Sequence, residues 1–183
     1  MMRYKVWDPF VRVFHWSVVA GFTANALFTD PEAKLHENIG LAILGLVALR
    51  IVWGVFGTRH ARFSDFLPSV SASIGQLREM ATGRRRIHLG HSPLGALMIY
   101  NLLGTLLVIC ISGYMMTTIA FFGVDWVEEL HELAVTWAEI SVLAHIAAVF
   151  LESRRLGVNL PKSMVTGYKE IDDDVINGRA TEA

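Results

Sequence analysis

Four long apolar blocks, with nearly all the charge confined between them, set the narrowest limit on what this chain can fold into. They run from about Phe10 to Phe28, His36 to Phe56, Pro93 to Phe122 and Trp126 to Leu151. A hydrocarbon core about 30 Å thick takes roughly 20 mostly apolar residues of helix, so every block is long enough to cross it. Of the 183 residues, 53% are hydrophobic and 18% charged, whereas a soluble domain carries about 25% charged residues. Mean hydropathy is +0.43. The expectation is one integral membrane domain over residues 1–183, all-α, built as a four-helix bundle. The length leaves no room for a large independent soluble catalytic domain. A single cysteine, Cys110, excludes a disulfide framework, a thiolate zinc site and a CxxCH haem-attachment motif.

Basic residues orient the blocks. Fifteen of the sixteen lie in the N-terminal segment, in or beside the loop between blocks two and three, or in the C-terminal tail; the exception is Lys34. With an even number of spans, both termini and the long loop are expected to be cytoplasmic. The opposite side carries Asp30, Glu32, Glu37, Asp125, Glu128 and Glu129. That acidity suits a cationic partner, although short outer loops also tolerate acids without any partner. Basic residues, an apolar stretch and Ala24-Asn25-Ala26 resemble a cleavable signal peptide. A histidine within the stretch favours a retained first helix, which is the expectation here. In the long loop, Val70, Ile74, Leu77, Met80 and Ala81 recur at helical spacing between Pro68 and Gly83. They predict a short amphipathic helix on the inner surface. The polar tail after Glu152, ending in Asp172-Asp173-Asp174, is expected to be partly disordered.

Ionisable residues in membrane helices are costly and mark function. Four histidines lie in or at the edge of the blocks: His15, His36, His131 and His145. His15 is roughly 7 Å from the inner start of the first block and His145 roughly 9 Å from the inner end of the fourth, at about 1.5 Å per residue. His36 and His131 both lie near the outer side. The fourteen residues from His131 to His145 span about 21 Å and bring the chain back to within roughly 40° of the same helix face. One helix thus offers an imidazole near each surface, and two other helices supply one partner each. A lone histidine in such a place reads as a satisfied polar group. Two depth-matched pairs sharing one helix read as two bis-histidine sites for b haem, since iron takes two axial nitrogens inside an apolar pocket. Zinc fits less well, because it takes three or four protein ligands. A proton relay using Glu139 remains open but leaves the pairing unexplained.

Gly21, Gly40, Gly45 and Gly104 offer places where a flat ring could approach a helix, although small residues also serve ordinary helix packing. Arg12, Arg50 and Arg86 are candidate partners for haem propionates, with snorkelling to lipid as the alternative. His88 and His91 could bind propionates, shape a quinone site or sit at the headgroups; His60 is expected at the headgroups. The five tryptophans read as an interfacial belt, and Cys110 as a packing residue.

Several segments resemble the bacterial cytochrome b561 and nickel–iron hydrogenase cytochrome b family. They are Val6-Trp7-Asp8-Pro9-Phe10-Val11-Arg12-Val13-Phe14-His15-Trp16, His36-Glu37-Asn38-Ile39-Gly40, Ala61-Arg62-Phe63-Ser64-Asp65-Phe66 and Gly90-His91-Ser92-Pro93-Leu94-Gly95. Glu152-Ser153-Arg154-Arg155 and Asn159-Leu160 through Gly167 extend the likeness over nearly the whole chain. The resemblance implies a four-helix, multi-pass protein of the bacterial inner membrane holding two b haems. By position, His15 and His145 would ligate the inner haem, His36 and His131 the outer one. It further implies electron transfer between membrane quinone, ubiquinone or menaquinone, and a periplasmic or peripheral redox partner; the acidic outer face would suit a cationic periplasmic one such as a c-type cytochrome. Lipid surrounds the protein, and no nucleic-acid partner is expected. The alternative within the family is superoxide oxidation at the outer face with electrons passed to quinone. Superoxide is an anion, and Lys34 alone offers it positive charge there. A non-redox reading, histidines that hold partners or pass protons, predicts no haem absorption.

Overall fold

Two prolines start long helices where the sequence turns apolar. A computed structural model describes residues 2–171. Strand β1 (Met2–Lys5) leads to helix α1 (Pro9–Phe28), α2 (Lys34–Phe56), α3 (Val70–Ala81), α4 (Pro93–Met116), α5 (Asp125–Leu156), α6 (Leu160–Thr166) and strand β2 (Tyr168–Ile171). Asp8 and Ser92 cap α1 and α4, their side chains accepting from the amides of Val11 and Gly95. In both, proline follows at the first position, where its missing N–H costs nothing.

The fold is helical, and among the described residues three helices are long and apolar enough to cross a membrane: Lys34–Phe56, Pro93–Met116 and Asp125–Leu156. Helix α1 is not among them, because Arg12, His15, Ser17 and Asn25 dilute its apolar content. Adjacent packing runs α1 on α2, α2 on α4 and α4 on α5. Ile43 and Val47 of α2 meet Leu106 and Cys110 of α4 at the centre, with Phe14, Val18 and Phe22 of α1 packed against them. Cys110 thus serves as a packing residue. Large apolar side chains on the outward faces, such as Leu133, Leu143 and Leu151 of α5, remain exposed. Lipid, not water, is the environment that suits them.

Two helix ends differ from the sequence expectation. Helix α4 ends at Met116 and not at Phe122. The hydroxyls of Thr117 and Thr118 bond back to the carbonyls of Tyr114 and Met115, and Gly123 follows with φ +71°. Helix α5 runs on to Leu156 instead of stopping at Leu151. Glu152 and Arg155 pair across one turn at 2.9 Å, carrying the helix past the end of the apolar run. The described part of the tail forms α6 and β2, and β2 pairs antiparallel with β1, Met2 opposite Ile171 and Lys5 opposite Tyr168. Asp172-Asp173-Asp174 lie outside the described residues.

This small ribbon marks one end of the molecule, the ribbon end, where α1 and α4 begin and α2 and α5 finish. Gly167 carries φ +88°, and a Cβ there would lie 2.9 Å from the Trp7 carbonyl oxygen, which glycine alone avoids. The Gly167 carbonyl in turn accepts from the amides of Val6 and Trp7. At the same end Gly54 faces the ring of Phe63, which an added Cβ would approach to 2.1 Å. Gly54→Ala is therefore expected to push Phe63 off its neighbours Phe66 and Tyr100 and to cost about 1–3 kcal/mol. Thermal unfolding in detergent measures it; an unchanged midpoint would show that the ring moves freely.

Candidate functional site

At the end opposite the ribbon, His36 opens α2 and His131 lies in the second turn of α5, and their ring centroids are 6.5 Å apart. Each ring is held by its Nδ1. His131 Nδ1 is 3.0 Å from the Ile109 carbonyl oxygen and 3.1 Å from Ser112 Oγ. A carbonyl oxygen only accepts, so the proton sits on Nδ1 and Nε2 keeps its lone pair. His36 Nδ1 is 3.1 Å from Thr29 Oγ1, whose own proton goes to the Asn25 carbonyl oxygen at 3.1 Å. That again leaves Nε2 unprotonated. Asn25 also donates to the His36 carbonyl at 3.0 Å. Gly113 makes room for the His131 ring, which a Cβ would meet at 3.1 Å.

The pair is spaced as two imidazoles that would hold one metal between them. Imidazole–metal bonds of about 2 Å, one to each ring, place two ring centres roughly 6 Å apart. Second hydrogen bonds that fix tautomer and ring orientation are what ligating histidines carry. Gly40, one turn beyond His36, has no atom within 4 Å of an added Cβ, and neither do Gly45 and Gly104. These positions leave space beside the helices; Gly21 instead packs against Ile43 at 3.2 Å. No group of three or more His, Cys, Asp or Glu side chains gathers to hold a bare ion among the described residues.

His15 near the start of α1 and His145 in the second half of α5 both lie nearer the ribbon end. His15 stands edge-on to Trp16 at 5.1 Å, and its Nδ1 is buried without a hydrogen-bond partner. Burying a polar nitrogen that way costs about 1–3 kcal/mol, a cost that a ligand in the gap could offset.

The ribbon end also gathers polar side chains with buried, unpartnered nitrogens. Arg50 is 3% exposed, donates to the Ala61 carbonyl at 3.0 Å and lies over the Phe63 ring, while its Nη1 has no partner. Arg12 donates to the Val165 carbonyl and keeps a buried, unpartnered Nε. His91 is wedged between Trp7 and Phe66, with centroids at 4.7 and 4.2 Å, and its Nδ1 is likewise unpartnered. Arg86, by contrast, is exposed and turns to Glu79 at 3.9 Å. His60 packs against Gly90. Trp7 and Trp53 depart from the belt expected of the tryptophans: Trp7 is buried and donates to Ser163, and Trp53 donates to Asp8.

Lys169 was not singled out by sequence, since a tail lysine looks like a solvated charge. It is 5% exposed and donates to the carbonyls of His88 and Gly90, both at 2.9 Å. Burial draws its pKa down to about 8, against the opposing pull of Glu152. Thr29, Ser112 and Gly113 were missed as well; a Ser-Gly pair in an apolar run was the available signal. Burial, helped by the charges of Lys169 and Arg50, pulls His91 from 6.5 to about 3. A folded value below the unfolded one means that the unfolded chain takes up the proton first. Stability contributed by neutral His91 is therefore present above pH 6.5 and lost as pH falls towards 3. Thermal melts across that range should show the loss, and His91→Phe should flatten it. A variant with the same pH slope as the parent would assign the effect to another group.

Fold and site together define a helical membrane protein with imidazoles paired across its helices. The chain belongs to the prokaryotic cytochrome b561 family, whose model matches residues 6–167. It is therefore a membrane b-type cytochrome of electron transfer, and the family binds b-type haem. No curated protein and no solved structure matches the chain.

Proposed function

We propose that this cytochrome carries electrons across the bacterial inner membrane between the quinone pool and a periplasmic redox partner, using two b haems. In this reading α1 is the fourth span of a four-helix bundle and the ribbon end is cytoplasmic. The observation that carries it is the His36–His131 pair, 6.5 Å apart with both Nδ1 atoms already engaged. His15 and His145 would hold the second haem, with Arg12, Arg50 and His91 as the polar groups near it. Bound haem supplies one-electron redox chemistry. The chain's own task is to ligate and orient it, to keep water out with apolar side chains, and to place buried cations beside its carboxylates. Buried cations also favour the reduced, more negative state of a neighbouring redox group.

The acidic end of the molecule, at Glu128, Glu129 and the outer loops, suits a cationic partner such as a c-type cytochrome. The superoxide alternative gains nothing from the geometry. Lys34, the basic residue on that side, is paired with Glu37 at 2.6 Å, so little positive field remains to draw in an anion.

A reduced-minus-oxidised spectrum of the purified protein with pyridine-haemochrome quantitation tests the proposal. Two b haems per chain are expected. One haem would leave a single ligand pair in use, and none would return the protein to a non-redox reading. Superoxide consumption by the purified protein would move the alternative ahead.

A further inference from the structure

Helix α3 is built inside out for a soluble helix. Its polar residues Ser73 and Gln76 are 3% and 5% exposed and face the protein, while Val70, Ile74 and Leu77 are 66%, 46% and 51% exposed. Leu67, just before the helix, is 71% exposed. The three helical residues lie at i, i+4 and i+7, so they form one apolar stripe. An exposed ridge of this kind marks an interaction surface.

What it meets follows from where Gln76 attaches. Gln76 Oε1 accepts from the Leu94 amide, in the first turn of α4, at 3.0 Å. Its Nε2 donates to Glu152 near the end of α5 at 3.5 Å. The segment after α3 is held at the same level, since Arg155 of α5 donates to the Arg84 carbonyl at 2.7 Å. Two spanning helices thus pin α3 at the depth where their apolar stretches meet polar sequence. That depth is the bilayer surface. The stripe faces away from the protein at that depth, so acyl chains below the headgroups are in reach. Charge agrees: residues 70–86 carry Arg78, Arg84, Arg85 and Arg86 against Glu79 alone, and the four arginines are exposed. Basic residues beside an apolar helical face are the pattern of binding to anionic lipid.

We infer that α3 is an interfacial anchor whose Val70–Ile74–Leu77 face inserts into the surface of an anionic bilayer, with the arginine cluster contacting lipid phosphate. The inference needs only the spanning helices and holds whether or not the haem assignments do.

The test uses the full chain in nanodiscs, on a Cys110→Ala background, with nitroxide labels on Ile74→Cys, Leu77→Cys and, on the opposite face, the exposed Ala72→Cys. Accessibility to oxygen, which partitions into lipid, is compared with that to an aqueous nickel chelate. In phosphatidylglycerol discs, positions 74 and 77 should favour oxygen several-fold and position 72 the chelate. Changing Arg84, Arg85 and Arg86 to glutamine, or the lipid to phosphatidylcholine, should bring positions 74 and 77 closer to water. Labels at 74 and 77 as open to nickel as at 72 would overturn the inference in favour of a solvated helix. Labels closed to both reagents would overturn it in favour of a protein partner or a second copy. Should labelled variants fail to assemble, photoactivatable phosphatidylglycerol applied to the unaltered protein decides the matter. Cross-links within residues 67–86, beside those expected along the spans, support lipid contact, and their absence there overturns it.

Discussion

His131→Ala should halve the haem content of the purified protein while leaving the other haem spectrally intact. The imidazole is held on one side by the Ile109 carbonyl and Ser112 and faces His36 on the other. If the pair holds a haem, loss of this imidazole would remove one of the two ligand nitrogens, and alanine offers no replacement. On the proposed assignment the second site is held by His15 and His145, nearer the ribbon end, so it should survive. His15→Ala is the complementary variant and should remove the other haem. Pyridine-haemochrome quantitation against protein concentration reads both. Full haem content in His131→Ala would break the assignment of the outer pair. Loss of both haems there, with His15→Ala retaining one, would mean that the outer site is needed for assembly. Ser112→Ala and Thr29→Val are milder: the rings lose the hydrogen bonds that set tautomer and orientation, and changes of this kind typically cost about 10–100-fold in metal affinity.

Asp8→Ala should be the most destabilising single change at the ribbon end. The carboxylate is buried, caps α1 through the Val11 amide at 2.8 Å, and accepts from Trp53 Nε1 at 3.0 Å and from the Thr58 hydroxyl. It therefore ties the start of α1 to the end of α2 and the loop after it. Losing the cap costs about 1 kcal/mol, and each buried donor left alone costs about 1–3 kcal/mol more. These contributions share one side chain and do not simply add; a total of about 3–5 kcal/mol is expected. Asp8→Asn, which keeps one acceptor oxygen, should lose less. Burial pushes the Asp8 pKa up, but the hydrogen bonds from Thr58, Val11 and Trp53 outweigh it and hold the group below its ordinary 3.8. With the folded value depressed, this stability is present above pH 3.8 and lost as pH falls below it. Thermal unfolding in detergent checks the ranking; Asp8→Ala melting with the parent would refute it.

Periodicity and composition made the helical elements legible because a span must bury its own backbone hydrogen bonds over a fixed length. They placed α2 and α3 to within a few residues. The same reasoning misjudged the ends of α4 and α5, because a helix stops where its backbone finds other partners. Thr117 and Thr118 end one inside an apolar run, and the Glu152–Arg155 pair prolongs the other beyond it. Depth counted from a helix end is correspondingly unsafe: with α5 extending to Leu156, His145 is matched to His15 by the apolar boundary and not by the last helical residue.

Residue type and spacing were enough, without any coordinates, to single out His15, His36, His131 and His145, since imidazoles in apolar helices need a reason to be there. Tertiary structure alone decided which nitrogen of His36 and His131 is free, since that depends on Thr29 and on the Ile109 carbonyl reached across a helix interface. It also converted Lys169 and Trp7 from presumed surface groups into buried ones. No local pattern encodes that change. It arises when residues 2–5 and 168–171 pair, more than 160 positions apart, and fold the tail over the ends of the helices. The helices are written in the chain's own periodicity, whereas the environment of each polar side chain is set by segments distant in sequence.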